Sequence, residues 1–270
     1  MTPRWVVYDE PAGGGGGGPW DPSQLSALVA WYKADSLTGV NDGDSVSSLS
    51  DSSGTGNDLT VHDANATPVV RTGALNGLNI IEWRAAATTL RNTSSTVFRN
   101  VPGLARALVY RQPDTATINA DSVSTDTNNN YRFFHQLTVS NTQRHRTKRL
   151  VADSYNPSFG TTHGGTPAFT WSIQVDFADF SVPSAGGTSD GTLATQVSIV
   201  TSGSTEDTAT VVALGGTPDG AGFDVDIAES IYANSAISAA DREKLEGYLA
   251  HKWGLAGNLP VSHPYKNAAP

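Results

Sequence analysis

The chain has 270 residues, no cysteine, 27 glycines, and 26 acidic against 17 basic side chains, for a formal net charge of -9. Without cysteine there is no disulfide framework, thiolate nucleophile or zinc-cysteine site, and the acidic balance disfavours sequence-independent binding to nucleic acid. A body of about 250 residues buries roughly three quarters of the surface its unfolded chain exposes, so it can fold without a metal or disulfide staple.

Residues 1–20 read as an N-terminal arm. Trp5, Val6, Val7 and Tyr8 form an apolar patch, followed by glycines at 13–18 and then Pro19-Trp20. A glycine run of this kind is a flexible tether reaching about 20 Å when extended. Aromatic residues on such a tether have no core of their own to enter, so Trp5, Val7, Tyr8 and Trp20 are the candidate partner-docking residues. The start shows no apolar run of signal-peptide length and no later segment approaches a membrane span. Synthesis in the cytoplasm and no membrane contact are therefore expected.

The body, residues 21–270, opens on Asp21-Pro22-Ser23-Gln24-Leu25, where an N-cap and a following proline predict one short helical turn. Apolar-rich segments of strand length follow at 28–33, 78–83, 107–110, 131–139, 169–177, 210–214 and 223–232. Asp42-Gly43, Asn76-Gly77, Asp190-Gly191 and Asp219-Gly220 are tight-turn dipeptides between such segments. The pattern predicts an all-β, antiparallel two-sheet sandwich in which Trp31, Trp83, Trp171 and Trp253 belong to the core. A single C-terminal α-helix is expected over 238–253, capped by Ser238 and ended by Gly254. Leu245, Tyr248, Leu249 and Trp253 share one face of it. That helix should pack on the sandwich edge, with 255–270 as an extended tail along the body.

Candidate chemistry is sparse. Asp224-Val-Asp-Ile-Ala-Glu229 approximates the paired-carboxylate strand of laminarinase-like glycosidases, whose retaining mechanism needs two carboxyl groups about 5 Å apart on one face. Strict alternation instead sets Glu229 with Val225, Ile227 and Ile231, opposite Asp224 and Asp226. Glu229 is therefore read as a structural buried acid, and no catalytic residue is assigned. Gly187-Thr-Ser189-Asp-Gly191 has the nucleophile-elbow spelling but no helix after it, and reads as a loop. The clusters at 41–44 and 51–58 offer oxygen ligands for calcium, yet lack the spacing and closing glutamate of a calcium hand. Turn chemistry accounts for them, and no metal or cofactor is assigned. His62, His135, His163 and His251 lack the pairing of zinc sites. Arg144, Arg146 and Lys148, at period-two spacing, form a candidate face for an anionic partner. Polar stretches at 121–130, 156–167 and 184–192 read as loops available for recognition.

Several stretches carry a resemblance: Leu28-Val-Ala-Trp-Tyr-Lys-Ala-Asp35, Asp51-Ser-Ser-Gly-Thr-Gly-Asn-Asp-Leu59, Asn76-Gly-Leu-Asn-Ile-Ile81, Asp226-Ile-Ala-Glu-Ser-Ile-Tyr232, Asp241-Arg-Glu-Lys-Leu-Glu-Gly-Tyr-Leu-Ala-His-Lys-Trp-Gly254 and Leu259-Pro-Val-Ser-His-Pro-Tyr265. Together they make the body similar to laminin-G-like, concanavalin A-like lectin-glucanase jelly rolls found in tailed-bacteriophage virion proteins. Leu49 and Trp83-Arg-Ala depart from the usual tryptophan and Phe-Asp-Gly of such modules. The resemblance implies a concanavalin A-like jelly roll acting as a non-enzymatic virion structural accessory protein, a capsid decoration or a tail-fibre or tail-tip component. Its expected partners are other virion proteins and further copies of itself in the assembled particle. A host-surface glycan is the alternative partner, with a carbohydrate-binding adhesin as the second reading.

Overall fold

The computed structural model describes residues 19–84, 87–113, 118–124, 131–137, 143–147, 169–182, 184–194, 197–198 and 210–270, with 118–124, 131–137, 143–147, 197–198 and 210 described by their backbone. The strands are β1 (Leu28–Lys33), β2 (Ser48–Leu49), β3 (Leu59–Val61), β4 (Val69–Leu75), β5 (Leu78–Trp83), β6 (Leu90–Ser95), β7 (Gly103–Arg111) and β8 (Ile118–Ser124). They continue as β9 (Tyr131–Leu137), β10 (Gln143–Thr147), β11 (Trp171–Asp179), β12 (Ser184–Ser189), β13 (Thr192–Leu193), β14 (Val197–Ser198), β15 (Thr210–Leu214) and β16 (Val225–Ala233). One α-helix follows, α1 (Ala239–Lys252).

The first sheet runs β13-β12-β11-β7-β16-β5-β4, with β1 also on β16 and β14 also on β12; the second runs β10-β9-β8-β15-β6-β3-β2. The strand pairings are antiparallel, as the jelly-roll expectation requires. Asn76 and Gly77 (φ 50° and 76°) make the two-residue turn from β4 to β5, a conformation that asparagine and glycine reach most cheaply.

Two apolar layers hold the body together. Tyr32, Leu59, Trp83, Leu90, Val212 and Ile227 meet between the sheets. Trp31, Val109, Ile173, Val175 and Ile231 leave the outer face of the first sheet apolar as well, and Leu245, Leu249 and Trp253 of α1 cover it. Helix α1 therefore lies across a sheet face rather than on the sandwich edge, because alternate residues of the central strands present a second surface that must be hidden from water. Strand β16 is buried along its whole length for the same reason. Ser238 caps α1 by accepting from Asp241 N–H, and Gly254 leaves it at φ 72°.

Residues 184–189, read as a loop, are strand β12. Gly187 faces Asp176 in the register, and a methyl group there would collide with the Asp176 carboxylate. The small residues make room for a neighbouring side chain, a demand that resembles loop composition. Likewise 121–124 belongs to β8. The terminal segment packs on α1: Tyr265 sits against Gly247, its carbonyl lies 2.9 Å from His251 Nε2, and the Lys266 ammonium donates to the carbonyls of Ala256, Gly257 and Leu259.

Candidate functional site

Of the three carboxylates that tempt a catalytic reading, Asp226 and Glu229 are closed by donors, while Asp224 keeps one buried oxygen, Oδ1, without a hydrogen-bond partner among the described residues. Strand β16 shifts register against β7 between Ile227 and Glu229, so strict alternation breaks there. Val225 and Ile227 point into the inter-sheet core, which turns Asp226 outward toward the helix layer. Past the bulge, Glu229 reaches that same layer and shares no face with Val225 and Ile227. It accepts from Trp31 Nε1 at 2.6 Å, Trp253 Nε1 at 2.7 Å, Lys252 Nζ at 2.7 Å and the Tyr248 hydroxyl at 3.2 Å. Burial, then the Glu229 charge, pushes the Tyr248 phenol well above its ordinary range. Asp226 is taken by Arg84 at 2.7 Å and by Arg111 Nε at 2.8 Å. With both acids essentially inaccessible and ringed by donors, neither has a free edge for a glycosidic oxygen.

The two turn clusters are closed in a similar way. Asp51 accepts from the backbone N–H groups of Trp31 at 2.9 Å, Ser53 at 2.8 Å and Asn57 at 3.0 Å. Burial would raise its carboxyl, but these donors and the Ser53 hydroxyl outweigh burial and hold it below the usual carboxylate range. Asp44 accepts from Asn41 N–H and Asp42 from Thr72 N–H, at 2.7 and 3.0 Å. These are turn-closing bonds. Among the described residues no group of three His, Asp or Glu side chains is placed to hold a metal ion.

The open polar site lies elsewhere. Leu59 and Leu90 enter the inter-sheet core, so their strand neighbours Thr60 and Arg91, which are register partners, face away from it. With His62, Asn92, Thr93 and Ser94 they line a groove of about 360 Å³ on the outer face of the second sheet. Asp58 borders it, and its backbone carbonyl accepts from Asn92 Nδ2 at 3.1 Å. The turn between β15 and β16 braces two of these residues: the Pro218 carbonyl takes a hydrogen from Arg91 Nη1, and Gly220 lies directly on the His62 imidazole. Gly220 is at φ 106°, and a methyl group there would overlap the ring, so glycine is demanded twice over. Burial lowers the Arg91 guanidinium from its ordinary value, with the Asp219 charge opposing.

The sequence-predicted docking and partner residues stand apart from this groove. Trp20, expected to find no core, lies edge-on to Tyr248 with ring centroids 6.2 Å apart, and its backbone N–H donates to the Pro270 carbonyl at 3.2 Å. It belongs to the helix layer of the body. Trp5, Val7, Tyr8 and Lys148 fall outside the described residues, and the backbones of Arg144 and Arg146 lie in β10 opposite Gln136 and Phe134. The groove was missed because its floor, Arg91-Asn-Thr-Ser94, is a polar strand without an aromatic platform, and the turn that braces Arg91 and His62 lies far along the chain. Asp219-Gly220 was visible only as a turn dipeptide.

No family model and no curated protein matches the chain. Among solved structures, its fold is similar to the receptor-binding domain of botulinum neurotoxin mosaic serotype C/D, with a TM-score of 0.58 and 10% identity over 83% of this chain and 51% of that one. It is similar as well to the botulinum neurotoxin serotype D ligand-binding domain in complex with N-acetylneuraminic acid, with a TM-score of 0.57 and 12% identity over 83% and 51%. The botulinum neurotoxin type G receptor-binding domain follows, with a TM-score of 0.56 and 12% identity over 82% and 51%. The chain thus spans about half the length of these structures. At such identities the likeness is one of fold, and the chain is an antiparallel jelly-roll sandwich with one C-terminal helix.

Proposed function

We propose that this chain is a non-enzymatic binding module of a tailed-bacteriophage particle, a capsid decoration or a tail-fibre or tail-tip component. Residues 1–18 dock on other virion proteins through Trp5, Val7 and Tyr8, and the jelly roll projects outward. The observation that carries this reading is the polarity of the body: Trp20 is rooted on the α1 layer, while the polar groove opens on the opposite outer face. A tether leaving from the helix layer keeps the groove clear of whatever the arm grips. The closure of Glu229 and Asp226 by donors favours binding over hydrolysis. Arm and body are made in the host cytoplasm, and several copies assemble in the particle. Removing residues 1–18 should leave thermal unfolding unchanged while abolishing incorporation into particles; full incorporation of the truncated chain overturns the docking role.

A second reading, a carbohydrate-binding adhesin for the host surface, is compatible with the first. The groove's hydroxyl, amide and guanidinium lining favours it. So does the likeness in fold to domains described as receptor-binding, one of them in complex with N-acetylneuraminic acid. A glycan array probed with the full chain tests it, and silence on every glycan counts against it.

A further inference from the structure

We propose that the groove between β3 and β6 is a saccharide site in which the Arg91 guanidinium is the principal reader of the ligand. This rests on the binding-module reading and deepens it. Arg71, Arg84, Arg106, Arg111 and Arg242 each meet a carboxylate. Arg91 forms no ion pair among the described residues, and Nη1 is its one atom engaged, on the Pro218 carbonyl. The rest of a planar fork of donors is left for a ligand.

The surroundings match a polyol rather than an apolar ligand. Thr60, Thr93 and Ser94 are exposed hydroxyl residues lining the groove, Asn92 is an amide bonded to the Asp58 carbonyl and to Ser94, and Asp58 keeps a carboxylate oxygen beyond the one that accepts from Asp51 N–H. Donors and acceptors interleave along the groove, which is what vicinal hydroxyl groups require, since each both gives and takes a hydrogen. The Asp58 and Asp219 charges near Arg91 keep the groove from acting as a general anion trap. The volume of about 360 Å³ falls within the roughly 300–1,000 Å³ usual for small-molecule sites. With no aromatic platform, each site binds weakly, and repeated copies on a particle compensate through avidity.

The test is a dense array of neutral and carboxylate-bearing oligosaccharides, probed with the full chain and with Arg91→Gln and Thr60→Met. The first variant removes the fork; the second fills the groove from an exposed position without entering the core. Both variants should melt like the parent chain and lose at least tenfold in binding, with an Arg71→Gln control unchanged. The class of glycan retained by the parent chain tells whether the fork meets hydroxyls or a carboxylate. A parent chain that binds glycans equally well after both substitutions overturns the groove assignment but leaves the binding module standing. A parent chain that binds no glycan overturns the groove assignment and the adhesin reading together, and leaves the docking role to its own test.

Discussion

The two outer faces of this sandwich use polar residues in opposite ways. On the helix-covered face, buried acids are saturated: Glu229 by two indoles, a phenol and an ammonium, Asp226 by two arginines, and Glu246 by Thr188 and by His263 at 2.9 Å. On the outer face at β3 and β6, Arg91 keeps unused donors and Thr60, Thr93 and Ser94 are exposed, with the Ser94 hydroxyl lent to Asn92 Oδ1 at 3.2 Å. A charge removed from water persists only with a full set of partners, so satisfaction marks the acids that serve the fold. Unused capacity at a half-exposed position marks a group available to a ligand.

The largest test of the contrast is Glu229→Ala, which strands two indole N–H groups under α1 and leaves Lys252 with Asp35 as its one carboxylate partner among the described residues. It should lower unfolding free energy by about 3–5 kcal/mol in urea, while glycan binding by the remaining folded protein stays at the parent level. A loss below about 1 kcal/mol would mean that the network does not hold the helix to the sheet. Next in size is Gly220→Ala on the open face. Backbone strain at a positive φ costs of the order of 1–3 kcal/mol, and the displaced His62 ring should weaken glycan capture as well. A variant that loses stability and keeps full capture would remove His62 from the groove's working surface.

The smallest effect, and the most diagnostic in pH, is Tyr248→Phe. Its loss of one hydrogen bond to Glu229 should cost about 0.5–1.5 kcal/mol at neutral pH. Because the folded phenol titrates far above its unfolded value near 10, the parent chain keeps this stabilisation below about pH 10 and loses it progressively as pH rises further. Stability measured across the alkaline range should therefore fall less steeply in the variant. Equal slopes would show that Tyr248 titrates as an exposed tyrosine.

Strands β1, β5 and β15 coincide with apolar segments bounded by turn residues, and α1 with a capped amphipathic stretch ended by glycine. For these the side-chain period and the local caps suffice. Strands β3, β6 and β12 are short, polar or glycine-rich; β3 and β6 pair with each other and β6 with β15 across long stretches of chain, while β12 pairs with its neighbour β11 but hides that in its small residues. The bulge in β16 is likewise invisible in Asp226-Ile-Ala-Glu229, because one inserted residue changes no composition while it reverses which face every later side chain meets.

Composition, hydrophobic period and turn dipeptides by themselves determined the all-β sandwich, its terminal helix and the burial of Trp31, Trp83 and Trp253, since these depend on how each short segment meets water. Only the tertiary structure decided that α1 covers a sheet face, that Trp20 joins that layer, and that Arg91 stands beside His62 under the Gly220 turn. Those outcomes depend on which surfaces remain uncovered after the sheets pair, a property of the assembled layers that no single segment carries.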